Sequence, residues 1–160
     1  MNTPGQRAEH PDAKPTIVLV HGAFADASSW NGVIERLQRQ GYTVIAPANP
    51  LRGVTADSAY TASLLSQIDG PVLLAATQRP VAAAAFTDVC GPPAWKKLPS
   101  WAVVATGDKA AGADLVRSMA QRAGADIVEV DGSHVIMISQ PQAVTDHIVK
   151  AAQATVSPGR

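Results

Sequence analysis

Five short apolar, β-branched runs recur along the chain, near residues 16–20, 42–46, 71–75, 101–105 and 126–130. Runs of this kind bounded by turn residues predict strands covered on both faces of a parallel sheet. Helical spacing fills the intervals. Trp30, Val33, Ile34 and Leu37 fall at i, i+3, i+4, i+7, with Ser28 or Ser29 as the expected N-cap and Gly41 as the stop. Tyr60, Leu64 and Ile68 make a second stripe, and Leu115, Val116, Met119, Ala120 and Ala123 a third, ended by Gly124. The last is Ala143, Val144, His147, Ile148 and Ala151, led by Ser139 to Gln142, which reads as a capping box. A weaker helix is expected over 79–86. Strand and helix alternate throughout, which predicts an α/β fold of three layers, doubly wound on a mostly parallel five-stranded sheet. The polar, Pro- and Gly-bearing ends predict tails over 1–14 and 154–160 around a single domain of residues 15–153.

Composition narrows the classes. The 160 residues carry 13 Lys and Arg against 13 Asp and Glu, a net charge of zero, and 46% are hydrophobic. Such a chain is not disordered overall, and it lacks the basic excess of a nucleic-acid or membrane-surface protein. Cys90 is the single cysteine, which excludes an internal disulfide and a cysteine-based zinc site. No apolar run is long enough to span a bilayer and the first residues are not a signal peptide, so a cytoplasmic setting is expected. GxGxxG and HExxH are absent. Residues 107–112 have the glycine spacing of a P-loop, but Ala113-Asp114 stand where Lys-Ser/Thr is required. No cofactor and no metal are expected.

In parallel sheets ligands bind beyond the carboxyl ends of the strands. Three polar segments follow strands there: His21-Gly22 through Trp30, Thr106-Gly107-Asp108-Lys109, and Asp131-Gly132-Ser133-His134. Asp108 and His134 follow neighbouring strands and are expected to hydrogen-bond, and a carboxylate that orients an imidazole is the general-base half of a triad. Their order along the chain is that of the second and third triad members in Ser…Asp/Glu…His. His21 reads as a buried residue that orders its loop, His147 as packing, His10 as part of a tail and Cys90 as a small loop residue.

Residues 15–30, with Val-His21-Gly22-Ala-Phe, and residues 99–141, with Thr106-Gly-Asp108 and Asp131-Gly-Ser-His134, together resemble the α/β-hydrolase-fold esterase family. The resemblance covers most of residues 15–152. It implies an ester- or acyl-directed hydrolase in which Asp108 is the acid, His134 the base, and the Ala23 backbone N–H, with Phe24 beside it, half of the oxyanion hole. The family's nucleophile stands in G-x-S-x-G after the third of these strands. Here none of Ser28, Ser29, Ser58, Ser63, Ser66, Ser100, Ser118, Ser133, Ser139 or Ser157 has glycine two residues before it. After residues 71–74 the chain runs Ala75-Ala-Thr-Gln-Arg-Pro80 instead. The resemblance therefore implies a shortened form without the elbow, its helix, the next strand and most of the cap. The family's strand order with that strand removed is 2-1-3-4-5, in which strand three would close the gap by pairing with strand four. An exposed edge or a swapped homodimer is the alternative.

The expectation is thus an esterase-like hydrolase of a small-molecule ester-like ligand, feeble for want of a serine. The alternatives are a non-catalytic module that binds a small apolar ligand or a protein partner, and a trimmed chain with no evolved role.

Overall fold

The computed structural model describes residues 13–22, 25–77 and 94–156. Its strands are β1 (Thr16–Val20), β2 (Val44–Ile45), β3 (Val72–Ala76), β4 (Trp101–Ala105) and β5 (Asp126–Val130). Its helices are α1 (Asn31–Arg39), α2 (Val54–Leu65), α3 (Ala113–Arg122), α4 (Ile136–Ser139) and α5 (Pro141–Val156), with 3₁₀ turns at Ala27–Trp30 and Ala94–Lys96. All observed strand pairs are parallel. The weaker helix expected over 79–86, Ala23, Phe24 and Cys90 lie outside the described residues.

One expectation is overturned. The strands form two sheets, β2-β1-β3 and β4-β5, with no ladder between β3 and β4. The order within each sheet follows the expectation, but the gap is not closed. Helix α5 packs on both β3 and β4 and holds the halves side by side through side chains. Val144, His147, Ile148 and Ala151 of α5 line a cavity between the two sheets.

The core sits on the β1 side of this seam. Ile17, Val18 and Leu19 are fully buried between β2 and β3, and Val33 and Leu37 of α1 and Ala152 of α5 close over Ile17 and Leu19. Helix α1 packs directly against α5, with Trp30, Met137, Val144 and Ile148 between them and the strands.

Local details differ from the sequence expectations for identifiable reasons. The first helical turn is capped by Asp26, whose carboxylate accepts from the Ser28 N–H at 2.8 Å, while the Ser29 hydroxyl donates to the Asp26 carbonyl. A carboxylate accepts more strongly than the serine hydroxyls that compete for the cap. Gly41 stops α1 with φ +77°, a left-handed geometry that favours glycine. Ser139 closes α4, and Gln142 bonds Arg36 and Asp146, so the expected capping box does not form. Pro141 instead opens α5, where its missing N–H costs nothing. Helix α2 buries no residue, and Tyr60 is 40% exposed. Its alanines and threonines spread apolar surface around the helix rather than along one stripe. On α3, Ala120 faces inward while Leu115 is largely exposed.

The expected ends also shift. Helix α5 continues to Val156, into the stretch expected as a tail. Lys14 donates to the Gln40 carbonyl at 2.6 Å and lies over the Tyr42 ring, which ties it to the end of α1.

Candidate functional site

The carboxyl ends of β4 and β5 hold the candidate pair. The ladder runs one step past the strands, with Thr106 N–H donating to the Val130 carbonyl, and Gly107 N–H then donates to the Gly132 carbonyl at 3.0 Å. A Cβ on Gly107 would sit 2.9 Å from that carbonyl oxygen, so glycine is required for the two loops to approach. Asp108 and His134 leave these loops towards one another. His134 Nδ1 and Asp108 Oδ2 are 2.8 Å apart, with side chains 22% and 6% exposed.

Asp108 is also cradled by its own loop, accepting from the Ala110 and Ala111 N–H groups at 2.8 and 3.1 Å. Burial pushes the Asp108 pKa up, but the hydrogen bonds from His134, Ala111 and Ala110 outweigh it and hold the carboxyl below its usual value. An ionised carboxylate can only accept, so His134 donates from Nδ1, and in the neutral ring the lone pair then stands on Nε2. Nε2 has no hydrogen-bond partner among the described residues. An imidazole held in this way can take a proton from a hydroxyl or a water placed at Nε2.

The other half of the site lies across the seam. Thr77 follows β3 and donates its N–H to the Val20 carbonyl at 3.2 Å, which places it at the same carboxyl edge. Its Oγ1 is buried and has no hydrogen-bond partner among the described residues, and neither has Nε1 of Trp30, a residue 3% exposed. Thr77, Trp30, Asp108 and His134 all line the cavity between β3 and β4, about 380 Å³ in volume. Its remaining wall is mostly apolar, from Leu73, Trp101, Val103 and others.

The structure thus brings Asp108 and His134 together, while Ala23 and Phe24 lie outside the described residues. Among the described residues, His21 and His147 do structural work. His21, 4% exposed, accepts from the Asn49 N–H on Nε2 at 2.8 Å and bonds the Gly22 carbonyl through Nδ1. Among the described residues no group of three His, Cys, Asp or Glu could hold a metal, and no helix is long and apolar enough to cross a membrane. Trp30 is the cavity residue that sequence reading missed as polar. Its place in the helical stripe marked it as core, and nothing local tells whether an indole N–H finds a partner.

His147 offers a test of packing. It is 8% exposed, and its Nε2 lies 3.2 Å from the Asp126 carbonyl. Burial lowers its pKa from the usual 6.5, against the Asp126 hydrogen bond and carboxylate, which raise it, and with Lys150, which lowers it further. The unfolded chain therefore binds a proton that the folded chain resists, and the stability due to neutral His147 is lost as pH falls through its lowered pKa. Urea unfolding should show stability declining as pH falls below the usual histidine value of 6.5, and His147→Gln should flatten that decline. An equal slope in the variant would refute the assignment.

Parallel strands with a carboxylate-oriented histidine at their carboxyl edge define an α/β protein of the kind the sequence resemblance implies. Residues 69–147 match the Alpha/beta hydrolase family. Among solved structures, the chain is similar to a hydrolase of the alpha/beta superfamily from Xanthomonas campestris pv. campestris, at 20% identity and TM-score 0.62, over 88% of this chain and 99% of that one. It is also similar to a pyrethroid hydrolase from Sphingobium faniae JZ-2, at 14% identity and TM-score 0.67, over 88% and 98%. A pyrethroid hydrolase structure with BIF gives 14% identity and TM-score 0.67, over 91% and 100%. No curated protein matches the chain. The chain thus has the α/β-hydrolase fold, with a match to the family over residues 69–147.

Proposed function

We propose that this protein hydrolyses small acyl esters without a serine nucleophile, His134 activating a water under the orientation of Asp108. The observation that carries this reading is the 2.8 Å Nδ1 to Oδ2 contact, which leaves Nε2 free in a cavity of mostly apolar wall. The solved pyrethroid hydrolases support hydrolytic chemistry on an apolar compound. A water removes the need for G-x-S-x-G, which the sequence lacks. It also forgoes the covalent intermediate that splits one difficult step into two easier ones. In serine hydrolases stripped of triad members, the remaining oxyanion donors and binding still give about 10³–10⁴-fold over water, so slow turnover is expected here.

The second reading is a non-catalytic module that holds a small apolar ligand in the same cavity. It is favoured by the missing elbow and by the two buried polar atoms that await a partner.

A chromogenic short-chain ester assay on the purified chain, run beside a fluorophosphonate probe, separates the readings. Hydrolysis without covalent labelling is expected. Rapid stoichiometric labelling would show a side-chain nucleophile and overturn the water mechanism. Absence of hydrolysis with retained ligand binding would favour the second reading.

A further inference from the structure

A buried hydroxyl without a hydrogen bond costs about 1–3 kcal/mol, which is why native proteins rarely keep one. Thr77 keeps one, in the cavity that also receives Asp108 and His134. Trp30 Nε1 is a second polar atom in this state, and the buried indole of Trp30 lines the same cavity. An indole N–H can only donate and a threonine hydroxyl can donate. A ligand that satisfies them must bring oxygen acceptors and needs no donor of its own. A carboxylic ester has that pattern: two acceptor oxygens and no N–H or O–H.

A hydroxyl nucleophile needs its base within hydrogen-bond reach. Thr77 Oγ1 makes no hydrogen bond to the His134 ring, since it makes none at all among the described residues. It stands on the opposite side of the seam, fixed by its own N–H to the Val20 carbonyl at the end of β1. His134 is fixed by Asp108 at the ends of β4 and β5. Both residues line one cavity, so a ligand held there has an imidazole and a threonine among its neighbours.

We propose that Thr77 is the oxyanion donor of this site, its Oγ1–H holding the carbonyl oxygen of a bound ester while His134 directs water at the acyl carbon. The proposal rests on the hydrolase reading above and names its electrophilic partner. In the step, His134 Nε2 takes a proton from water as the water oxygen bonds to the carbonyl carbon. The carbonyl π electrons move onto the oxygen facing Thr77, whose hydrogen bond strengthens as that oxygen becomes charged. Collapse restores the carbonyl, breaks the bond to the alcohol oxygen and returns the proton from imidazolium to the departing alkoxide. Acid and alcohol leave, and no side chain is altered. A neutral hydroxyl already stripped of water needs no reorganisation when charge appears, which is the condition for effective electrostatic stabilisation.

Thr77→Val keeps the shape and removes the hydroxyl, and Thr77→Ser restores it. Loss of one oxyanion donor typically lowers kcat about 10²–10³-fold. That fall is expected for Thr77→Val with KM little changed, and Thr77→Ser should recover most of it. A second measurement does not depend on turnover. An aliphatic trifluoromethyl ketone, hydrated in water to a tetrahedral mimic, is compared by fluorine NMR and competition with the corresponding methyl ketone, which stays trigonal. The unaltered protein should prefer the hydrate, Thr77→Val should lose the preference, and Thr77→Ser should keep it. Equal kcat in Thr77→Val, or a hydrate preference that survives the loss of the hydroxyl, would overturn the proposal. A preference lost in Thr77→Val from a protein that hydrolyses no ester would support Thr77 as donor and sink the hydrolase reading alone.

Discussion

Ester turnover should fall about 10²–10⁴-fold in His134→Ala, the range expected when a general base is removed. The imidazole is only 22% exposed on its side chain, and its loss leaves the cavity without the imidazole that Asp108 orients. Asp108→Asn should approach the same floor by a different route. The amide keeps the shape of the carboxylate but can donate from its nitrogen, so Nδ1–H loses its charged acceptor and the ring no longer favours the tautomer with a lone pair on Nε2. The lowered Asp108 pKa predicts the pH response. Folded Asp108 stays ionised at neutral pH, and its stabilising contribution is lost only as pH falls through that lowered value. Values of kcat/KM for both variants, with circular dichroism to confirm the fold, check this. Wild-type rates in His134→Ala would place the chemistry elsewhere.

Leu19→Ala should cost about 2–5 kcal/mol of unfolding free energy, the range for a leucine deleted from a core. Leu19 is fully buried on β1, the central strand of its sheet, and belongs to the cluster that α1 and α5 cover. A domain with the usual ~5–15 kcal/mol of stability loses a large share by this change. Leu98→Ala, at a site 62% exposed, should stay within about 0.5 kcal/mol of the parent. Urea titration of both variants reads the contrast, and equal costs would mean that Leu19 is not in the core described.

The strands were legible because their apolar runs are local and bounded by turn residues. Four of the five lie within a residue of the positions read from the sequence, and β2 shrinks to Val44–Ile45. Asp108 and His134 were legible because strand ends in a parallel sheet converge and the two residues follow adjacent strands. The separation of β3 from β4 was not legible. The apolar residues of Val72–Ala76 and Trp101–Ala105 suit a strand with a neighbour on each side, and nothing in such a run says whether the second neighbour is present. The cap at Asp26 was hidden among three eligible residues, Asp26, Ser28 and Ser29, all able to accept from the same turn. Which hydroxyls or indoles find no partner, as at Thr77 and Trp30, depends on contacts between distant segments, and the local pattern carries no trace of them.

The division of the strands into two sheets has a mechanical consequence. Where a ladder joins neighbouring strands, their separation is pinned near ~4.8 Å by a row of directional bonds. Across this seam no such ruler operates among the described residues, and the gauge is α5, a rod of 16 residues that rests on both halves. Its contact surface includes Ala151 and Ala152, 3% and 0% exposed, where the absence of bulk lets the rod lie close. Thr77 travels with one half and His134 with the other. The span between them is therefore a packing dimension, set by the side chains that α5 lays against both halves, and thickening that contact would widen the site.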